Sequence, residues 1–251
     1  MIAIKNEPEL ESMRQACKIT AAARALAGEM VNPGVSTKEI DKAVHDYIVA
    51  QGAKPSFLNY NGFPASTCIS VYATVIHGIP GGYILKDGDI GSIDVGAFYK
   101  AFHGDCAATF PCGKISAEAQ KLIDVTKQSF FEGIRFATKG HRVSDISHAI
   151  QTYVEDNGFA VVRSFVGHGV GRKLHEEPVV PNFGAAGHGP RLLKAMTLAI
   201  EPMVNVGTYH VKVLKDGWTT VTADGKLSAH YENTVLITDG EPEILTVIEG
   251  L

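Results

Sequence analysis

The sequence predicts an α+β fold made of two similar halves, each with two helices followed by a β-rich segment. Helical periodicity and β-rich runs alternate twice along the 251 residues. The amphipathic helix at 40–52 returns at 146–158 with every apolar position offset by 106 residues. Ser-Ile-Asp, ending at Asp94, returns as Ala-Ile-Glu, ending at Glu201, with an offset of 107. Two matches at nearly one offset favour an internal repeat over chance similarity, so a pseudo-dyad should relate Asp94 to Glu201.

The first half begins with a helix predicted over residues 7–31, where apolar side chains recur at helical spacing. Asn-Pro-Gly at 32–34 ends it. A second helix begins at Ser36, because Glu39 lies three residues further on and completes a capping box. Residues 57–110 then form short β-rich runs separated by Gly and Pro.

The second half repeats this order. A long amphipathic helix is predicted over 116–138, and a second helix is predicted to be capped by Ser144 and to end at Gly158. The β-rich runs that follow cover 161–166 and 197–237.

Composition indicates an ordinary globular protein of one large domain, 1-251, with halves of roughly 1-112 and 113-251. A net charge of −4 gives no general electrostatic basis for binding nucleic acid or an anionic membrane. The four cysteines form no Cys-x-x-Cys pair, which favours free thiols in a reducing cytoplasm. The N-terminus lacks the layout of a signal peptide, and no apolar run reaches membrane-spanning length. The sequence therefore predicts a cytoplasmic protein.

Two aspartates, Asp94 and Asp105, lie in apolar, strand-like surroundings on either side of a break at 96–101 that suits a hairpin. Buried carboxylates are costly unless a cation or a proton compensates them. Turn or surface aspartates are the commoner outcome for any single Asp, so the pair alone is a weak signal.

A matching set lies in the second half, where His168, Glu201 and Glu232 also occupy largely apolar contexts. Four carboxylates and one imidazole suit two divalent ions of the Mn, Fe, Co or Zn kind that share bridging carboxylates. Such a pair can hold a bridging water, lower its pKa and clamp an attacked carbonyl. Taken singly, each residue is more often a surface acid or a satisfied core histidine.

Seven separated motifs, in order, give the chain a resemblance to a known family. They are HGIP at 77–80, IDV at 93–95, HGD at 103–105, GHGVGR at 167–172, LHEEP at 174–178, EPM at 201–203 and SAHYENT at 228–234. With these motifs the chain resembles the type I methionine aminopeptidases of the short bacterial form over about residues 4–246. That resemblance implies the pita-bread fold, in which two pseudo-dyad-related helix–helix–β halves surround a central antiparallel sheet.

The resemblance also implies a set of metal ligands. Asp105 and Glu232 would bridge two divalent ions (Co, Mn, Fe, Zn or Ni), Asp94 would complete the shell of one ion, and His168 with Glu201 that of the other. The substrate's α-amine would bind the ion nearer Asp94. A bridging hydroxide would attack the first peptide carbonyl, and Glu201 would accept its proton.

Two further histidines, His77 and His175, would bind the substrate amide and stabilise the oxyanion. Read without the resemblance, they are a strand-end histidine and a loop histidine. The family's methionine pocket maps onto four side chains, those of Tyr60, Phe63, Cys68 and Trp218.

Three positions depart from better-known bacterial members in ways that affect the shape of this pocket. They are Phe57, where cysteine is frequent, Phe63, where tyrosine is frequent, and Leu174, where phenylalanine is frequent. Tyr72 replaces a frequent asparagine near a monovalent-cation site, so the sequence gives no ground for such a site.

The implied function is removal of the initiator methionine from nascent polypeptides, favouring a small second residue, by a cytoplasmic monomer. Only 33 positions separate His168 from Glu201, which leaves no room for the helical subdomain inserted in type II enzymes. Without an N-terminal extension, contact with the ribosome would use the catalytic domain's own surface. The alternatives are a proline-directed peptidase of the same fold and a non-catalytic relative that binds proteins, although such relatives typically lose metal ligands.

Overall fold

A computed structural model describes residues 1–248 of the chain. Its helices are α1 (Glu7–Glu29), α2 (Thr37–Ala50), α3 (Ala117–Ile134) and α4 (Val143–Asp156). Its strands are β1 (Lys54–Pro55), β2 (Thr67–Val71), β3 (Thr74–Ile76), β4 (Ile90–Tyr99), β5 (Phe102–Pro111), β6 (Ala160–Val161), β7 (Gly167–Gly169), β8 (Glu176–Val180), β9 (Thr197–Ile200), β10 (Met203–Asn205), β11 (Val211–Val213), β12 (Thr220–Thr222), β13 (Ser228–His230), β14 (Glu232–Leu236) and β15 (Glu243–Ile244).

A nine-stranded antiparallel sheet forms the centre of the molecule. Its main path runs β1-β4-β5-β14-β9-β7-β8, with β2 paired to β4 and β15 paired to β14. Two three-stranded sheets, β13-β10-β6 and β11-β12-β3, accompany it. The predicted α+β class with a central antiparallel sheet is confirmed. Strands from both predicted halves share this sheet. The last three residues of the predicted domain, 1-251, lie outside the described residues.

The internal repeat is visible in both helices and strands. Helix α4 begins and ends 106 residues after α2. In the sheet, β5 and β14 are central neighbours, with β4 outside β5 and β9 outside β14. The pseudo-dyad therefore passes between β5 and β14, and it relates the strand of Asp94 to the strand that leads to Glu201.

The junction of the two halves is short and is held from one side by α1. Only Glu232 with Ala107 and Asn233 with Cys106 are in register between β14 and β5. The guanidinium of Arg24 spans the junction, since Nη1 donates to the carbonyls of Ala107 (3.3 Å) and Glu232 (3.0 Å). The same nitrogen donates to the Asn233 side chain at 3.1 Å. One helix side chain thus bonds both central strands where their own ladder is weakest.

The hydrophobic core lies between the helices and the sheets. Helix α2 and the C-terminal part of α1 pack on β2 and β4 through buried residues such as Ile40 and Ile93. Helices α3 and α4 pack on strands of the second half through Phe130, Ile150 and Leu198. Each amphipathic helix pattern found in the sequence therefore corresponds to a buried face.

Several boundaries differ from the sequence predictions, and three of the differences concern a cap, a turn and a helix end. Helix α4 is capped at Arg142, not Ser144: the Asp145 carboxylate accepts from the Arg142 backbone N–H at 2.7 Å, while the Ser144 hydroxyl accepts from the His188 N–H at 2.6 Å. The hairpin break predicted at 96–101 is confined to Lys100 and Ala101, both with positive φ, because β4 continues through Tyr99. Helix α3 ends at Ile134 and not at residue 138.

All four cysteines are free, as the sequence predicts, and all four are buried. Across residues 1–248, none of the helices has the length and apolar character needed to span a bilayer.

Helix α1 closely approaches the sheet at Gly104 of β5, and this contact yields a stability prediction. A Cβ added there would lie 2.6 Å from Thr20 Oγ1 and 2.8 Å from the Cys17 Cα. Because the helix backbone cannot move away freely, Gly104→Ala should lower the free energy of unfolding by about 2 kcal/mol or more. Denaturant unfolding measures this loss.

Gly91→Ala on the neighbouring strand β4 is the matched control, since a Cβ there meets nothing within 4 Å. Equal stability of the two variants would contradict the predicted overpacking.

Candidate metal centre

Strand register places three carboxylates on one face of the central sheet. Ala107 of β5 is the Cα partner of Asp94 on one side and of Glu232 on the other. Asp105 lies two residues from Ala107, and alternate residues of a strand point to the same face. Gly104 faces α1, so Asp105 points to the face away from that helix. The three acids therefore surround a fully buried alanine on the side of the sheet away from α1.

The second half brings its ligand candidates to the same face. Ala199 of β9 is the Cα partner of both His168 and Thr234. Glu201 follows two residues after Ala199, just beyond the end of β9. Period-two alternation thus aligns His168 and Glu201 with Glu232. Alanine at both pairing centres leaves space between the acids.

The His168 imidazole is oriented toward these acids. Its Nδ1 lies 2.9 Å from the Gly169 carbonyl, and because a carbonyl only accepts, Nδ1 carries the proton. Nε2 then presents its lone pair 3.5 Å from Glu201 Oε1 and 3.7 Å from Asp105 Oδ2. Burial, with the neighbouring His175, lowers the pKa of His168 to about 3. The ring is therefore neutral, as a metal ligand must be.

Burial raises the pKa values of all four carboxyl groups, and neighbouring charges add to the effect at three of them. Burial raises the pKa of Asp94 to about 7. Burial, together with the negative charges of Asp94 and Glu201, holds the pKa of Asp105 well above its usual range. The pKa values of Glu201 and Glu232 are raised mainly by burial and then by the neighbouring acids. In the absence of a cation this cluster retains protons.

Buried carboxylate oxygens without hydrogen-bond partners show that the residues fit a metal ion. Asp94 Oδ1, Asp105 Oδ1 and Glu232 Oε1 are buried without a hydrogen-bond partner among residues 1–248. One ligand atom each from Asp105, His168 and Glu232 lies within 4.8 Å of the others. Hard oxygen donors with one imidazole nitrogen suit a divalent ion of the first transition row.

One cavity of about 200 Å³ is lined by every residue predicted for the site. Its lining includes the five predicted metal ligands, the histidines His77 and His175, and the four predicted pocket residues. The remaining lining residues are Phe57, Asn61, Ile76, Phe165, Val166 and Leu174. Of these, only Phe57 and Leu174 could be linked to the pocket from sequence motifs.

The two non-ligand histidines occupy constrained positions. His77 has φ of 57°, a left-handed conformation that is unusual for a histidine, and its ring packs edge-on against Phe165 and Trp218. Burial lowers its pKa to about 4. His175 Nδ1 and the Tyr60 hydroxyl are joined by a 2.8 Å hydrogen bond. Tyr60 therefore orients a histidine as well as lining the pocket.

Sequence reasoning missed one buried polar residue at the centre. His230, at the end of β13, is 2% exposed, and its Nε2 has no hydrogen-bond partner within the described part of the chain. Burial lowers its pKa to about 3. The signal was its place in the SAHYENT motif, two residues before Glu232.

Comparison with known proteins identifies relatives over the full length. The model of metallopeptidase family M24 matches residues 11–239. The methionine aminopeptidase of Clostridium perfringens is 59% identical over 249 residues, which cover 99% of this chain and all of that protein.

Solved structures show the same fold. The crystal structure of methionine aminopeptidase from Thermotoga maritima has a TM-score of 0.97 and 43% identity, and the match covers 99% of this chain and 100% of that one. Prolidase from Pyrococcus furiosus matches with a TM-score of 0.79 at 22% identity, over 98% of this chain and 66% of that one. The predicted pita-bread fold is confirmed.

The raised carboxyl pKa values predict how ion binding depends on pH. Below about pH 7 Asp94 becomes protonated in the folded protein, and the other acids, whose pKa values are also raised, add to the effect. Protons then compete with the cation, so Mn²⁺ affinity should fall by about tenfold or more per pH unit below 7. His168, with its pKa of about 3, stays neutral throughout this range.

Calorimetric titration at pH 8, 7 and 6, in two buffers of different ionisation enthalpy, measures both affinity and proton release. An affinity that does not change between pH 8 and 6 would contradict the prediction.

Proposed function

The chain belongs to metallopeptidase family M24 and, within it, to the methionine aminopeptidases, and from that premise we propose a dinuclear centre for its reaction. The enzyme is a hydrolase that removes the initiator methionine and depends on divalent metal. The observation that carries the proposal is the convergence of four carboxylates and His168 on one cavity.

Charge balance supports two ions. Four ionised carboxylates carry four negative charges in a buried cluster, and two divalent ions neutralise them. We assign Asp105 and Glu232 as shared ligands, because they lie on the adjacent central strands β5 and β14. Asp94 would complete one shell, and His168 with Glu201 the other. The ions, of Co, Mn, Fe, Zn or Ni, would supply Lewis-acid activation of water and of the attacked carbonyl.

Glu201 would move a proton in this reaction. Its Oε1 lies 3.5 Å from His168 Nε2, and its Oε2 lies 3.9 Å from His230 Nε2. Burial raises the pKa of this carboxyl, and a raised pKa improves a carboxylate as a base near neutral pH. Glu201 would accept the proton of the attacking water and return it to the leaving amine.

His77 and His175 would act as neutral hydrogen-bond donors to the substrate. Burial lowers the pKa values of both rings, so neither carries a charge at neutral pH. Neutral donors next to a metal centre can bind the substrate amide and the developing oxyanion without repelling the cations.

The methionine side chain would occupy the apolar end of the cavity. Phe63 and Trp218 meet edge-on there with ring centroids 5.2 Å apart, and Cys68 is the Cα partner of Asp94. Phe57 and Leu174 complete this wall. Sulfur–aromatic contacts favour a thioether over a branched alkyl chain. A small second residue would follow from a crowded neighbouring subsite.

Two alternatives remain weaker. The likeness to prolidase shows the fold alone, at 22% identity. A non-catalytic protein-binding relative is disfavoured because all five candidate ligands line one cavity.

The cellular setting is also a proposal. We infer that residues 1–251 act as a single catalytic domain, monomeric in the cytoplasm, and that nascent chains reach it by transient contact between the ribosome and the domain's own surface. Failure of the purified chain to co-sediment with ribosomes at low salt would refute that contact.

Replacing the proposed base should abolish catalysis while leaving the fold intact. Glu201→Gln keeps the shape of the side chain but removes its basicity, so methionine release from Met-Gly-Met should fall by about 10³-fold or more. The exposed Glu241→Gln is the matched control. Wild-type protein should leave Ala-Pro-Ala intact, since cleavage there would favour a proline-directed peptidase.

Removal of one hydroxyl tests the orientation of His175. Tyr60→Phe keeps the ring that lines the pocket and deletes the 2.8 Å contact with Nδ1. Because the oxyanion interaction belongs to the transition state, kcat should drop about tenfold while KM changes little. A rise in KM at unchanged kcat would show that Tyr60 only lines the pocket.

A further inference from the structure

His230 is a buried polar residue that the proposed reaction leaves without a role. Its Nε2 lies 3.8 Å from Glu232 Oε2 and 3.9 Å from Glu201 Oε2. The same nitrogen is unpaired among residues 1–248. A buried donor or acceptor without a partner is destabilising, so an interaction that forms in the working enzyme would explain its presence.

The backbone of His230 is fixed to the strand that carries Asp105. Its N–H donates to Thr109 Oγ1 at 2.9 Å, and that hydroxyl donates to the His230 carbonyl at 2.9 Å. Ser92 of β4 bonds the same hydroxyl at 2.7 Å. The imidazole therefore projects from a backbone segment of β13 that these hydrogen bonds hold to β5 and β4.

The ring lies next to the acids but does not line the cavity. The five predicted ligands all line the cavity, and His230 does not. The two Oε2 atoms near its Nε2 belong to different carboxylates, and the distances exceed a hydrogen bond by about 0.7 Å. A small rotation of either glutamate would close the contact.

On the basis of the proposed metal centre, we propose that His230 is a positioning residue for it: Nε2–H donates to the outer oxygen of Glu201 or Glu232. That bond would keep the inner oxygens of these glutamates directed into the cavity. Outer partners of this kind raise metal affinity by orienting the ligands.

The competing role is that of a sixth ligand. One ligand atom each from Asp94, His230 and Glu232 lies within 4.8 Å of the others. A ligand must present an unprotonated Nε2, whereas a positioning donor must keep its proton on that atom. The two roles therefore differ in the protonation state of a single nitrogen.

A matched pair of variants tests the donor. H230Q keeps an N–H donor, and H230M has the same length without one. With the full chain and Mn²⁺ in calorimetric titration, H230M should lose about 10- to 100-fold in affinity and H230Q about threefold or less. The exposed His188→Met should bind like the wild type.

Nitrogen-15 NMR on the Zn²⁺-loaded wild type tests the same point without any substitution, so it remains decisive if H230M does not fold. A protonated Nε2 on His230 is expected; an unprotonated, zinc-bound Nε2 would overturn the inference in favour of a sixth ligand. Equal Mn²⁺ affinity of H230M and wild type would also overturn it. If the wild type binds no divalent ion, the proposed function fails as well.

Discussion

The crowding of four carboxyl groups on one buried sheet face is the constraint on which the rest of the structure depends. Burial raises the pKa of every member, to about 7 for Asp94, and the charges of neighbouring acids raise those of Asp105, Glu201 and Glu232 further, so the cluster must hold either protons or cations. Its surroundings suit cations. The nearby imidazoles His77 and His168 are neutral because they are buried, and alanines at the pairing centres leave room between the acids. The same cluster thus sets both the metal requirement and the reaction.

Sequence reasoning could locate this cluster because strand patterns and the internal repeat are local signals. The spacing of Asp94 and Asp105 predicts a hairpin, and the offset of 107 predicts the equivalence of Asp94 and Glu201. Register is different, since Ala107 becomes the shared partner of Asp94 and Glu232 only when distant strands pair. The family resemblance therefore predicts that the ligand candidates converge, whereas the register of the sheet explains why they do.

The misses have equally physical reasons. His230 has no special local pattern, and its importance comes from two glutamates that approach it in space. Residue type predicts Ser144 as the cap of α4, whereas the offset of 106 from Ser36 leads to Arg142. There the Asp145 carboxylate accepts a hydrogen bond from the Arg142 backbone N–H. In the hairpin, glycine at position 96 serves close packing, because a Cβ there would lie 2.8 Å from Phe57 and Ser56.

The short junction between β5 and β14 has an evolutionary consequence. A half-length ancestor that dimerised through this edge would have brought one acid from each copy to the twofold axis, where Asp105 and Glu232 now lie. Duplication and fusion of its gene would then free the copies to diverge, so that one retains aspartates and the other carries glutamates with His168. On this view the acid cluster began at a subunit interface, and Arg24 now holds together what was once a contact between separate molecules.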